Sequence, residues 1–473
     1  MEMDGSSLGK EKSAICTVSP VEQGLVLDIP VKRDMGWMGI LAAGFSISNS
    51  WLVFLATLVI PLVYGPMTTI CGIFSVTIAY IPIGLTIAEF ISAYPTTGGQ
   101  YHWTSILAPP SVKRVASYMT GFLSWCSWLT ITASTQSAMA MCIFAIVINA
   151  KPTTVIHKWE YFLIFQGQNI TAHLINLLFQ RHLTKLYFFG FLLSLVAIPV
   201  ISVTLLATST KASSEFVWTT VVADYGWPTG VQFLFALTAP VQAFCAVDGA
   251  VHLVEEVNQA GKIVPRTVVT SLVISFASLI LLACSVLYAI TDLYAVLATP
   301  SGFLVFEIVK QGTGSAAAAI VFTVLLLLAF PVSFTACARV ASVMGCSLGR
   351  DNILIYSEKL SMISQRFNVP VYALFVDWIL ISLIGFLYLA SPLAFNAIIG
   401  VSGIFQQLTI AIPTFFLIYR LRSPSVLPKD RSFRLPSWLG WTCNIFTVVW
   451  AAVTTIFFLF PFTEPIAEAT MSK

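Results

Sequence analysis

Apolar residues run along this chain in long uninterrupted stretches, not in the short alternating segments of a barrel wall. Between charged and Pro/Gly-rich breaks they fill roughly 37–61, 67–91, 116–149, 161–180, 186–208, 230–255, 267–290, 315–343, 371–390, 395–419 and 437–461. A helix needs about twenty apolar residues to cross a bilayer. The pattern therefore predicts about eleven transmembrane helices. Loop charge tests that count, because cytoplasmic loops accumulate Lys and Arg. With the N-terminus in the cytoplasm, only Lys151, Lys158, Lys211, Lys310 and Lys473 of the 24 Lys and Arg fall on the opposite side. The bias alternates loop by loop, as an odd number of crossings requires.

Two stretches break the pattern near mid-membrane. Span 1 carries "SISNSW", with Ser46, Ser48, Asn49 and Ser50 inside an apolar run. Span 6 carries "CAVDGAVHLVEE", with Asp248 and Gly249 at a similar depth. Interrupted helices five spans apart would hold equivalent places in an inverted repeat of five plus five. Such corresponding breaks are the best sequence pointer to a transporter's binding site. The chain divides on this reading into a cytoplasmic tail (1–35), a first repeat (36–210), a second repeat (211–420) and a peripheral span 11 with a short tail (421–473).

Composition narrows the class further. The 473 residues are 57% hydrophobic and 10% charged, against about 25% charged in soluble domains. The lipid bilayer is thus the first partner. A net charge of +3 is too small and too evenly spread for nucleic acid. The nine cysteines form no CxxC pair or Cys/His cluster, so they are small core residues, and neither a metal nor a cofactor is expected. Residues 1–35 lack an apolar core and cleavage site, so no signal peptide is expected and span 1 serves as the anchor. No paired-carboxylate, His-rich or HExxH constellation lies within the spans, which argues against an enzyme.

Asp248 is the sharpest candidate, since a carboxylate at membrane depth must find a partner or a cavity. It could contact substrate, or cap a half-helix beginning at Gly249. His252 lies one turn on, as a structural hydrogen-bonding group or a proton relay. In span 1, Asn49 and the weaker Ser46 could serve cargo, or could be small residues that let helices approach. Glu89 ends span 2 on the cytoplasmic side, and Glu255 and Glu256 end span 6 near Lys262 and Arg266. Solvated interfacial charge and a charge-pair gate are both open for Glu89. Gly98-Gly99 lacks the spacing of a phosphate loop. Asp377 snorkels or pairs locally, and the Asn-Ile-Thr at 169–171 lies inside a span, which disfavours glycosylation.

Several stretches in chain order resemble fungal permeases of the amino acid–polyamine–organocation superfamily, in the branch of GABA and choline permeases. They are "NSW" (49–51), "AEFISAYPTTGGQYHW" (88–103), "VDGAVHLVEE" (247–256), "SGFLVFEIVKQGTGS" (301–315), "FNAII" (395–399), "FRLPSWLGW" (433–441) and "FLFPF" (458–462). The resemblance covers roughly 36–462. It implies an all-α polytopic protein with a leucine-transporter-like 5+5 inverted-repeat core, moving small amines or amino acids by alternating access. It implies proton coupling and a plasma-membrane location, with the vacuolar membrane as the alternative. Carried over by position, it points to Asn49, Ser50 and Trp51 and to Cys245, Ala246, Val247, Asp248 and Gly249 as substrate-binding. Position along the spans, not the resemblance, makes Glu89, Asp248 and His252 the candidate gating or coupling groups.

Three departures qualify the match. Where the family reads Gly-Phe-Asp-Ala, this chain has Ala246-Val247-Asp248-Gly249, so an aromatic that could hold a quaternary ammonium by cation–π attraction is missing. Arg350-Asp351 follows Arg339 about one turn later than the family pattern. The family's twelfth span is missing after "TEPIAEATMSK". The expected function is secondary active transport of a small amino acid or GABA-like amine. The alternatives are a choline or polyamine permease, a non-transporting nutrient sensor and an inactive truncated permease.

Overall fold

In hydrocarbon no water can satisfy the backbone, so apolar runs must close their hydrogen bonds within themselves, as helices. The computed structural model describes residues 35–222 and 226–460, which are mostly helix, with no strand beyond an isolated bridge between Met35 and Val257. Cys16, the tail before Met35 and the tail after Phe460 lie outside the described residues.

Among the described residues ten helices are long and apolar enough to cross a membrane: Trp37–Thr57, Pro66–Ala93, Lys113–Ala150, Gln180–Thr208, Thr229–Glu256, Ala260–Tyr288, Ala316–Arg350, Val371–Ala390, Pro392–Tyr419 and Ser437–Phe457. An eleventh long helix, Lys158–Leu178, takes the place of predicted span 4. Its hydropathy is lowered by Gln168, Asn169, His173 and Asn176, all buried against neighbouring helices. Asn169 donates to the Trp378 carbonyl and to Ser382 Oγ, each at 3.0 Å, tying this helix to span 9. Spans are numbered 1 to 11 in this order.

Two boundaries move, and at span 8 the cause is a charge satisfied inside the protein. Span 8 runs on past Arg339 to Arg350, since Arg339 is buried against Glu256. Span 7 begins at Ala260, several residues before its apolar run.

The halves correspond in detail. Spans 1 and 6 are both interrupted. A short helix stands in each of the 2–3 and 7–8 connections, Gln100–Leu107 and Leu304–Thr313. Spans 3 and 8 are the two longest, at 38 and 35 residues, and pack on each other. The core sits on the broken helices: 83% of the apolar window of span 1 is buried against 28% for span 9. Outward-facing apolar residues such as Ile78, Val196, Val203 and Val273 are exposed, as lipid contact requires.

Candidate functional site

The break in span 1 is one residue wide. Helix Trp37–Ser48 ends at Asn49, whose φ of 35° and ψ of 48° are left-handed, and a new helix starts at Ser50. Asn is among the few residues that adopt this conformation at modest cost. A helix end leaves its last carbonyls and the next helix's first N–H groups without intrahelical partners. Span 6 breaks over a longer stretch. Helix Thr238–Phe244 gives way at Ala246 (φ −87°, ψ 24°) to a 3-10 run, Cys245–Glu256. Runs of this kind rarely exceed a turn, and they mark strain or function.

The two breaks touch through Gly249. A Cβ there would lie 2.4 Å from Ile47 Cγ2, so only glycine admits this approach. The expected capping role for Asp248 is corrected: no side chain caps the 3-10 run. Asp248 is fully buried and accepts a hydrogen bond from Gln100 Nε2. Gly99, at φ 51°, turns the chain against Val251 and His252 and so delivers Gln100 to the carboxylate. Asp248 Oδ1 has no hydrogen-bond partner.

His252 Nδ1 lies 2.9 Å from the Thr97 carbonyl, which can only accept, so Nδ1 carries hydrogen. Nε2 is then a bare acceptor in the neutral ring and a donor in the imidazolium. It faces Asp248 Oδ2 at 3.6 Å with both side chains fully buried. An unprotonated ring would set a lone pair toward a carboxylate. Burial pushes His102, in the nearby helix, below its ordinary range against the pull of Asp351, with Lys113 adding to the drop.

Below this pair a polar column continues along the 3-10 run. Thr97 Oγ1 donates to Glu255 at 2.5 Å, Arg350 lies 3.4 Å from Glu255, and Arg339 lies 3.1 Å from Glu256. The Met35 N–H donates to the Glu256 carbonyl at 3.1 Å, tying the start of span 1 to the end of span 6. The charge pairs at this end thus come from span 8 and not from Lys262 and Arg266. Glu89 is neither a solvated group nor a member of this set. It is buried and held by Arg422 and Arg431, each at 2.7 Å, which fix the connection between spans 10 and 11 onto span 2.

Above the pair is a narrow cleft lined by Ile47, Ser48 and Val53 of span 1, Ile131, Ser134 and Thr135 of span 3, and Gln242, Cys245 and Ala246 of span 6. Its enclosed space is about 20 Å³, room for little more than a water and far below the volume of a small-molecule site, so cargo enters only when the lining parts. Asn49 Oδ1 and Trp51 Nε1, in the same stretch of span 1, are buried without hydrogen-bond partners. Gln242 Nε2 donates to Ser402 Oγ at 2.7 Å, leaving its Oε1 without a partner. Ser46 turns away to the Tyr187 carbonyl of span 5 at 3.1 Å, and Ser50 turns to Ser275 of span 7 at 3.0 Å. Val247 is buried. Asp377, in span 9, accepts from Trp125 Nε1 at 2.9 Å, far along the chain from either break.

Gln100, Gln242 and the hydroxyls of span 3 were missed as site residues. The signal for span 3 was present in "TASTQS", a polar cluster inside a long apolar run. Gln100 lies in the stretch "AEFISAYPTTGGQYHW" that carries the resemblance, but nothing local marked its side chain as a partner of Asp248.

Among relatives, the choline transporter of Saccharomyces cerevisiae is 29% identical over 94% of this chain and 79% of its own length. The swainsonine transporter of Arthroderma benhamiae is 30% identical over 97% of this chain and 90% of its own. Among solved structures, MhsT in complex with L-phenylalanine superposes with a TM-score of 0.63 at 15% identity, covering 90% of this chain and 99% of that one. That likeness gives the leucine-transporter-like fold. The family model described as amino acid permease matches residues 36–472. This integral membrane protein belongs to the amino acid permease family, whose members here are transporters.

Proposed function

We propose that this protein is a secondary active transporter that moves a small amino acid or a GABA-like amine by alternating access. The observation that carries the reading is the small cleft where the two broken helices meet. Its lining offers hydroxyls, an amide and free backbone groups and has no aromatic face. The carbonyl end of helix Trp37–Ser48 suits an ammonium, and the N–H end of a following half-helix suits a carboxylate. The five-span halves, 36–210 and 211–420, would rock about this point. The column of Glu255, Glu256, Arg339 and Arg350 would close the cytoplasmic side and part when the cleft opens inward. Cargo shifts that balance only by binding the two states unequally.

Coupling to protons is assigned to the Asp248–His252 pair. A proton loaded from outside would neutralise the buried charge under the cleft and favour inward passage, so uptake should rise as external pH falls. The plasma membrane, with a cytoplasmic N-terminus, is the assigned location.

The similarity to a choline transporter favours one second reading, choline as cargo. The cleft lacks the aromatic wall that cation–π recognition of a quaternary ammonium uses. Uptake of labelled GABA, proline, choline and a polyamine by permease-deficient cells separates the readings. Accumulation of GABA or proline that responds to external pH supports the proposal. Accumulation of choline alone replaces the substrate class. Binding without accumulation of any of the four points to a sensor.

A further inference from the structure

Apart from the cleft, a groove of ≈ 650 Å³ opens between the start of span 1, span 2, span 7 and the connection to span 11. Its mouth is framed by Trp37, which is 43% exposed, and by Phe433. Two cations stand beside them, Lys262 and Arg266, one turn apart on one face of span 7. Both are exposed, and neither belongs to an ion pair among the described residues. The acids nearest in sequence, Glu255 and Glu256, are committed to Arg350 and Arg339. Among the described residues no Asp or Glu lines the groove. The positive end of the span 7 dipole lies there too.

Past Arg266 the lining is mainly apolar, with Leu85 and Val269 beside Thr270, and Ile263 lies between the two cations. From Gln259 to Thr270 it follows span 7 for about 16 Å at 1.5 Å per residue. A soluble anion would neutralise the mouth and leave the apolar wall uncovered. A membrane lipid fits both ends.

The geometry points to a binding site for one anionic glycerophospholipid, its phosphate between Lys262 and Arg266 and the upper part of an acyl chain along Leu85 and Val269. The site rests on the proposed orientation, which puts this groove in the cytoplasmic leaflet where such lipids concentrate. A lipid seated there would bridge the first turn of span 1 to span 7, beside the Met35–Glu256 contact, and so favour the arrangement closed to the cytoplasm.

The test uses the full chain purified in detergent carrying equal amounts of phosphatidylserine and phosphatidylcholine, with retained lipid counted by native mass spectrometry. One phosphatidylserine should be retained in preference by about tenfold. Lys262→Gln with Arg266→Gln should bring retention down to that of phosphatidylcholine. Val269→Trp, which fills the apolar end and keeps both charges, should also release the lipid. Thermal stabilisation by cargo at the cleft should persist in all three proteins, which separates failure of this site from failure of the transport reading. Binding in detergent does not depend on orientation, so a positive result with the opposite topology would move only the leaflet. Equal retention of the two lipids, retention untouched by the double substitution, or displacement by inorganic phosphate would overturn the assignment.

Discussion

The two interrupted spans solve one problem in opposite ways. Span 1 concentrates its break in a single left-handed residue, Asn49, and ties the flanking hydroxyls to neighbours, Ser46 to span 5 and Ser50 to span 7. Span 6 spreads its break over a 3-10 run and buries a carboxylate with a glutamine and a histidine beneath it. The first is a narrow joint with its surroundings fixed. The second is extended and carries ionisable groups from the cleft to the charge pairs. Span 1 on this account shapes the cargo site, and span 6 couples it to protons and to the cytoplasmic closure.

Substitutions can break or sharpen that division. The largest effect is expected at Asp248→Asn. Asparagine keeps an acceptor for Gln100 but cannot share a proton with His252, and a hydrogen bond to a charged group is worth about 1.5–3 kcal/mol. Uptake measured across external pH should fall about 10- to 100-fold and become flat with pH, while surface expression holds. Gly249→Ala comes next. Its methyl would collide with Ile47, and overpacking of this kind costs about 1–3 kcal/mol. Transport should drop about tenfold and recover in part when Ile47→Ala is added, read as coupling in a double-mutant cycle.

Asn49→Gly preserves the left-handed backbone and removes the amide. Its signature should be a KM for cargo raised about fivefold, roughly one neutral hydrogen bond, with little change in melting temperature. Ser50→Ala is expected to do least. It loses the bond to Ser275, about 1 kcal/mol of stability, and leaves KM and the pH profile alone. A pH profile that responds to Asn49 and ignores Asp248 would reverse the assignment of roles.

Much of the fold was legible because hydrocarbon imposes a simple rule, and eleven apolar runs became eleven long helices. Boundaries drifted where charge met a partner that sequence does not reveal, as at Arg339 in span 8. Both breaks were also visible, because polar residues stand out in apolar runs. Their chemistry was harder to read. Asp-Gly looked like a cap and a helix breaker, yet the aspartate answers to Gln100, 148 positions away, and the glycine serves close contact with Ile47. Glu89 looked interfacial because its partners, Arg422 and Arg431, come from a distant connection. Local pattern reports which residues are unusual; the partners that decide their role are brought together only by packing.

Cys245 offers the most direct test, because it is a native thiol in the lining of the cleft. Its alkylation by a small maleimide can be followed by peptide-resolved mass spectrometry with and without transported cargo. Slower labelling of Cys245 in the presence of cargo, with the other thiols unchanged, is the predicted result. Transport of a cargo that leaves the Cys245 rate untouched would place its binding site away from the two breaks.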